Sequence, residues 1–326
     1  MTWLVWRQHR VQLAVVVVLV CAAALVLFLT AMRARDFAQA NGLSSCTSDI
    51  PRDRQCQLAL NRFVQRFGTW TSYASWTSFL AILIAVFVGA PLIAREVEHG
   101  THRLVWSQSV PRGRWLFMKL WPLVLAAAAV GAVQGLAFLL WWGNFDVADH
   151  PRMARWSFDV QGIVPIGYAL FALAVGIAAG AFVQRTIAAM AIAAAAFFAV
   201  RFLVAQFVRE HYMAPVVDHS QFFDSPQRIN DDWIVRQVVI DRDGRELQVI
   251  NCGQSTPEQC SQTLGLTAVT EYQPADRFWV FQGIELALFL ALTAALLAAT
   301  WCRIRGRGFA VARRRFPGAV TSAAHR

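Results

Sequence analysis

The polar segment between residues 94 and 120 contains the residue types that most often take part in chemistry: carboxylates, imidazoles, hydroxyls and a lysine. His99 and His102 have a spacing that would put both on one face of a helix, where they could bind a metal ion. Gly100 lies between them and disfavours that helix. We therefore expect solvated loop histidines here, and no metal site.

Nucleotide binding and covalent catalysis are not indicated by the sequence. Lys119 is the only lysine, and it stands in Phe-Met-Lys-Leu, so the Gly-Lys-Ser/Thr ending of a phosphate-binding loop is missing. The motifs Gly-x-Ser-x-Gly, His-Glu-x-x-His and Cys-x-x-Cys are also missing. We expect a chain with no catalytic residues and no cofactor of its own.

The elements that must position this segment are membrane helices. The 326 residues are 57% hydrophobic and 15% charged, which exceeds the apolar content that a soluble domain can bury. Crossing the bilayer takes roughly 20 mostly apolar residues in a helix. The sequence predicts one all-α, polytopic membrane domain over residues 1–326. Its six predicted spans are about 11–31, 76–93, 121–142, 163–183, 187–207 and 278–301.

The distribution of arginine predicts the orientation in the cell membrane. Basic residues are dense beside the span ends in the segment 94–120 and in the tail 302–326, which places these regions and both termini in the cytoplasm. The formal charge of +10 therefore reflects topology, and no nucleic-acid partner is expected. The extracellular loops would be residues 32–75, 143–162 and 208–277.

Two of the outer loops show signs of local structure. Leu60, Phe63, Val64 and Phe67 have helical spacing, so we expect a short amphipathic helix along the outer membrane surface. In the last outer loop, Asp243-Gly244 lies between two β-prone runs and predicts a β-hairpin within a small cap.

Four cysteines fall in these outer loops as two closely spaced pairs. An oxidising compartment favours disulfides between them, although three connectivities are open and free thiols are the alternative. They are Cys46, Cys56, Cys252 and Cys260.

Charges and glycines within the spans carry further predictions. Arg201 and Glu285 are the two formal charges inside predicted spans, at similar depth, and we expect them to form an ion pair. That pair could either join two helices or take part in substrate passage. Two G-x-x-x-G patterns predict close helix packing, within the bundle or at a dimer face. Their glycines are Gly131 and Gly135, and Gly176 and Gly180.

The segment 94–120 has the features of a docking surface. Gly100-Thr101 can end one helix and cap the next, and Leu104, Val105 and Trp106 would then form an apolar face rimmed by charge. A short helix lying on lipid is the alternative.

The pattern A-R-E-x-E-x-G-T-x-R-L-x-x-x-Q-S-V-x-R-x-R-W-x-x-x-K, from Ala94 to Lys119, resembles the cytoplasmic loop of type-two ABC transporter permeases, the membrane subunits of many bacterial exporters. The stretches WLVWRQHR and GIVPIGYALFALAVGIAAGAFVQRTIAAM resemble a group of such permeases common in actinobacteria.

This resemblance implies that the loop carries a coupling helix, which fits a groove on a separate ATP-binding subunit that binds ATP and magnesium. It also implies a homodimer or a paired permease subunit. The large outer loop before the last span departs from the re-entrant hairpins of many family members. By resemblance, the coupling residues are Glu96, Glu98, Gly100, Thr101 and Arg103, with Trp106 and Arg112 as contacts.

Two other functional classes remain open on the residues alone. A membrane sensor or accessory protein could bind a ligand with the outer cap and transport nothing. An intramembrane enzyme is disfavoured because its motifs are missing. The transported substrate cannot be read from the sequence.

Overall fold

The computed structural model describes residues 2–43, 54–100, 112–142, 152–221, 232–247 and 257–305. Within these ranges, six helices are long and apolar enough to cross a membrane, which confirms the predicted all-α, six-span class. In chain order the helices are α1 (Thr2–Ala40), α2 (Arg54–Trp76), α3 (Leu80–Glu98), α4 (Arg112–Trp142), α5 (Arg155–Phe158), α6 (Val164–Val183), α7 (Thr186–Leu203), α8 (Pro257–Leu264) and α9 (Phe278–Arg305).

Helix α6 forms the centre of the bundle. In its most apolar stretch 78% of the residues are buried, against 22–50% in the other five spans. The reason is that α3, α4, α7 and α9 all pack around it. Pro165 stands in its first turn, where a missing amide is tolerated. The side chain of Gln282 from α9 accepts hydrogen bonds from the amides of Ile163 and Val164, each at 2.9 Å, and so caps the helix.

The predicted glycine patterns mark the closest helix contacts within the bundle. A Cβ on Gly176 would lie 2.4 Å from the carbonyl oxygen of Ala85, and one on Gly180 would lie 2.6 Å from that of Ala90. Gly131 and Gly135 of α4 likewise approach the backbone at the start of α6 closely. A Cβ on Gly131 would lie 2.5 Å from the Pro165 carbonyl oxygen. The backbones of α3 and α4 therefore touch α6 at positions where no larger residue fits.

A second cluster joins α1, α2 and α4. The amphipathic pattern at residues 60–67 correctly predicts a helix, which extends over the whole of α2. Phe63 and Phe67 are buried and pack against Phe37 near the end of α1, with ring centroids 6.1 and 5.7 Å apart. Phe63 and Phe67 are thus covered by protein, whereas Val64 of the same apolar pattern is 41% exposed, and the position along the outer membrane surface stays a prediction.

The described residues of the segment 208–277, which the sequence predicts to be an outer loop, contain a four-stranded antiparallel sheet. Its strands are β1 (Val216–Gln221), β2 (Trp233–Ile240), β3 (Glu246–Leu247) and β4 (Thr267–Gln273), in the order β1-β4-β2-β3. The predicted hairpin is confirmed: Val239 pairs with Leu247, and Gly244 in the turn has a φ of +76°. The pairing of β1 with β4 was not predicted, because the two strands are separated by more than 45 residues in sequence.

The sheet lies at one end of the bundle, which we call the sheet end. Trp233 of β2 packs edge-on against Phe281 of α9, and Gln273 of β4 donates a hydrogen bond to the Met213 carbonyl oxygen at 2.7 Å. The opposite end, where α3 finishes and α4 begins, is the loop end. The described parts of the predicted docking segment, residues 94–100 and 112–120, therefore lie at the far end of the bundle from the sheet.

Candidate functional site

At the loop end, the C-terminus of α3 and the N-terminal part of α4 form side-chain contacts with other helices. Glu98, the last residue of α3, accepts hydrogen bonds from the amide of Thr186 at 3.0 Å and from its hydroxyl at 2.7 Å. Thr186 begins α7, so the Glu98 carboxylate acts as an N-terminal cap supplied by another helix. A displacement of Glu98 would act directly on the turn between α6 and α7.

That turn is short and has a defined backbone conformation. Gln184 caps α6 with a φ of 59°, the only positive φ of a non-glycine residue in the described ranges, and Arg185 is extended. Gln184 and Arg185 are thus the two residues that join α6 to α7, which is the tight turn that the sequence predicts here.

The side chains of Glu96 and Lys119 form an ion pair between α3 and α4. Lys119 also lies 4.6 Å from the centre of the Trp115 ring, which adds a cation–π contact. Nearby, Gly113 packs against Trp301 near the end of α9, where a Cβ would lie 2.7 Å from the indole. Lys119, the only lysine of the chain, therefore joins the C-terminal part of α3 to the first turns of α4.

The predicted coupling residues are only partly described. Gly100 follows α3 with a φ of +71°, and its amide donates to the Val97 carbonyl oxygen, so it ends the helix as the sequence predicts. Arg112 is the first residue of α4. Thr101, Arg103 and Trp106 lie outside the described residues, and their role stays a prediction.

A buried cluster of charged side chains lies at the sheet end. No sequence motif predicted it. Arg209, just beyond α7, is 1% exposed and lies between two carboxylates. Its Nε and Nη2 donate to Glu285 at 2.8 and 2.7 Å, and Nη2 also reaches Asp159 at 2.5 Å. Its guanidinium carbon lies 4.4 Å from the centre of the Phe158 ring. A cation buried this deeply is stable only because its partners are within bonding distance.

Arg201 completes the cluster and corrects the sequence prediction. Its Nη2 donates to Asp159 at 2.8 Å, and its guanidinium carbon lies 4.6 Å from the centre of the Tyr168 ring. The ion-pair partner of Glu285 is Arg209, so the predicted direct pair between Arg201 and Glu285 is wrong. Both residues belong to the same network, because the Tyr168 hydroxyl lies 2.5 Å from Glu285 and 3.1 Å from Asp159.

Two cations and two carboxylates leave the cluster formally neutral. Burial by itself would raise the pKa of Asp159, but the guanidinium groups of Arg209 and Arg201 outweigh it and lower that pKa below its ordinary value. Tyr212 donates to Glu285 at 3.2 Å, and burial together with that carboxylate raises its pKa. We therefore treat Asp159 as ionised and Tyr212 as a neutral hydrogen-bond donor at neutral pH.

Sequence reasoning missed Asp159 and Arg209 because both lie in segments that it assigned to outer loops. The helical course of α7 continues through a π turn, Val204–Val208, and a 3-10 turn, Arg209–His211, beyond the predicted span end at 207. The available signal was that Asp159 and Arg209 each lie within a few residues of the end of a predicted span.

Two of the four cysteines predicted to form disulfides lie within the described residues. Cys56 in α2 and Cys260 in α8 are both disulfide-bonded, whereas Cys21 and Cys302 are free thiols. Cys46 and Cys252 lie outside the described residues, so the connectivity remains a prediction. In the described ranges no group of three or more His, Cys, Asp and Glu residues is placed to hold a metal ion.

Comparison with known families decides the class of the protein. Residues 15–209 match the family model described as ABC-2 membrane transporter related, which covers the first five spans and four residues of the charge cluster, Asp159, Tyr168, Arg201 and Arg209. The chain belongs to this family. No curated protein and no solved structure matches it.

Family membership fixes the coarse function. The protein is a multi-pass protein of the cell membrane and a transport-related permease of the ABC-2 type, which confirms the resemblance drawn from residues 94–119. Such permeases are not themselves catalytic, and membership implies association with an ATP-binding subunit. Sheet strands β1 to β4, α9 and Glu285 lie outside the matched residues.

Proposed function

We propose that this ABC-2 permease forms the translocation path of an ATP-driven exporter and that residues 94–120 dock on a separate ATP-binding subunit. Both termini and the loop end would face the cytoplasm, and the sheet end would face outward. The working unit would be a homodimer or a pair with a similar permease, with ATP and magnesium bound by the partner subunits.

The contact between Glu98 and Thr186 carries this proposal. A loop that only connected two spans would need no tie to a third, yet Glu98 joins α3 to the first turn of α7 through two hydrogen bonds. A push on residues 94–120 by a closing ATPase would therefore reach α7 as well as α3 and α4. A binding event shifts a conformational equilibrium only through contacts that differ between the two states, and in this proposal the contact of Glu98 with Thr186 is one of them.

The packing of α3 against α6 would carry the same motion to the sheet end. Gly176 and Gly180 bring the α6 backbone against residues 85–94 of α3, so these two helices would move as one body. Tyr168, two turns nearer the sheet end on α6, joins the charge cluster. The buried ion pairs would then act as the closure between α6, α7 and α9, separating when the path opens outward.

Co-purification from native membranes tests the proposal. A tagged wild-type chain should bring down a polypeptide with Walker motifs. Trp106→Asp and Glu98→Arg should release that polypeptide. The first replaces an apolar side chain of the docking surface with a negative charge, and the second reverses a charge. Glu246→Arg, a charge reversal on the exposed sheet, is the matched control and should retain it.

The outcomes separate the alternatives. Retention of the ATP-binding subunit by both loop variants would overturn the assignment of the docking residues. Failure of the wild type to bring down any ATP-binding polypeptide would overturn ATP coupling and would favour the non-transporting sensor.

A further inference from the structure

An apolar crevice runs between α1, α3 and α4. Its larger part is a cavity of about 180 Å³, lined by Val20 and Cys21 of α1, by Ile84 and Val88 of α3, and by the α4 residues between Leu123 and Val133. A smaller cavity of about 10 Å³ shares Val20 and Val133 and continues the crevice towards Leu27 and Phe138. The two cavities follow the same groove along the bundle.

The crevice exists because α4 carries small side chains where it faces α1. Ala126, Ala127 and Ala129 line the larger cavity, and none of them reaches across the gap to α1. An empty apolar cavity is unfavourable because its lining atoms lose dispersion contacts on one side. Water would not fill it, since the larger part offers no polar side chain except the Cys21 thiol.

The dimensions of the crevice fit a hydrocarbon chain. The lining of the larger cavity on α4 runs from Leu123 to Val133, which is about 15 Å of helix axis at ~1.5 Å per residue. That length is about half of a hydrocarbon core ~30 Å thick, so the cavity fits a segment of one chain. The mouth opens on the bilayer-facing surface, where Val133 is 44% exposed and Ala129 is exposed. The crevice is thus long, narrow and continuous with the lipid-facing side of the bundle.

The wall contributed by α3 has an unusual backbone. Ile84 and Val88 belong to the π-helical segment Ile84–Gly89, which interrupts the regular hydrogen-bond ladder at this depth. Such π segments are rare and are frequently found at functional sites. The irregular turn therefore coincides with the cavity, while Gly89 at its end keeps α3 close to α6.

We propose that this crevice is a binding site for one acyl chain of a membrane lipid, held between α1 and the rest of the bundle. The chain fills the space left by the alanines of α4 and so fixes the position of α1. The proposal does not depend on ATP coupling, and it holds for the permease whichever substrate it moves.

Photo-crosslinking in lipid nanodiscs tests the site. The full-length chain is reconstituted with a phospholipid that carries a diazirine midway along one acyl chain, irradiated, and mapped by peptide mass spectrometry. Adducts should concentrate on residues 18–27 and 123–138 relative to residues 198–203 of α7, in which Phe198, Phe202 and Leu203 are exposed. Ala126→Phe should reduce crevice adducts about tenfold, since each ~1.4 kcal/mol of lost affinity is tenfold. Ala132→Phe, an exposed position on α4 outside the crevice, is the matched control and should leave them unchanged.

Each result decides for or against the site. Equal adduct yields on the crevice and on residues 198–203 of wild-type protein would mean bulk lipid contact only and would overturn the proposal. Equal losses in Ala126→Phe and Ala132→Phe would do the same. If Ala126→Phe fails to fold, Ala129→Leu at the mouth replaces it, and the wild-type distribution remains decisive by itself.

Discussion

Arg209 and Glu285 form a bidentate ion pair in which both side chains are 1% exposed. The pair joins the end of α7 to α9, and Asp159, Tyr168 and Tyr212 form further hydrogen bonds with its two side chains. Charges held in this way stabilise a fold only as long as every partner is present. The pair is therefore the point at which the sheet end is most sensitive to substitution.

Replacing one partner should cost far more than replacing both. Arg209→Met leaves Glu285 and Asp159 as buried charges with too few partners, and we expect it to lower the free energy of unfolding by about 3–5 kcal/mol. Arg209→Met combined with Glu285→Leu should recover most of that loss. The measurement is denaturant-induced unfolding in detergent micelles.

A surface ion pair supplies the control for this cycle. Arg236 and Glu246 are 2.6 Å apart but are 53% and 55% exposed, so Arg236→Ala should cost no more than ~1 kcal/mol. Strictly additive losses for Arg209→Met and Glu285→Leu would contradict a direct interaction.

The lowered pKa of Asp159 predicts a defined acid response. Its folded-state pKa lies below the ordinary value of 3.8, so the unfolded chain takes up the proton first as the pH falls. The stability that Asp159 contributes is therefore complete at neutral pH and is lost as the pH falls below about 3.8 towards the folded-state pKa. Asp159→Asn should lower the melting temperature at pH 7, and the gap to wild type should narrow only in that acidic range. A gap that widens on acidification would contradict this assignment.

Glycine substitutions should separate close packing from helix propensity. A Cβ on Gly176 would lie 2.4 Å from the Ala85 carbonyl oxygen and 2.8 Å from the Gly89 Cα, so Gly176→Ala should destabilise the bundle by about 1–3 kcal/mol. Gly283 of α9 has no described atom within 4 Å of such a Cβ. Gly283→Ala should therefore be neutral or stabilise by up to ~1 kcal/mol, as alanine is favoured within a helix. Thermal unfolding in micelles compares the two, and equal losses would contradict the close contact of α3 with α6.

The spans were predictable from sequence because each must be apolar along its whole length to satisfy its backbone in lipid. The glycine contacts were predictable for a similar reason, since only a small residue allows two helix backbones to touch. The ion-pair partners within the charge cluster were not predictable from the sequence. Asp159 and Arg209 stand among polar neighbours at span ends, and only the tertiary arrangement brings them to Glu285. The partners β1 and β4 were missed because long-range strand pairing leaves no local signal in either strand.

Sidedness follows from placing the loop end in the cytoplasm. In a Cys21→Ser, Cys302→Ser background that keeps the other four cysteines, Asp243→Cys in the turn before β3 should react with a membrane-impermeant maleimide on intact cells. His99→Cys at the loop end should react only after the membrane is permeabilised, because the reagent cannot cross the bilayer. The opposite pattern would invert the topology and remove the loop from the reach of a cytosolic ATPase.

The docking of residues 94–120 on an ATP-binding subunit is tested most directly by a photo-crosslinking amino acid placed at position 106 in living cells. We predict a single major adduct with a polypeptide that carries Walker motifs, whereas the same probe at position 243 should give none. Adducts of position 106 with lipid alone, or an ATP-binding adduct only from position 243, would contradict the account.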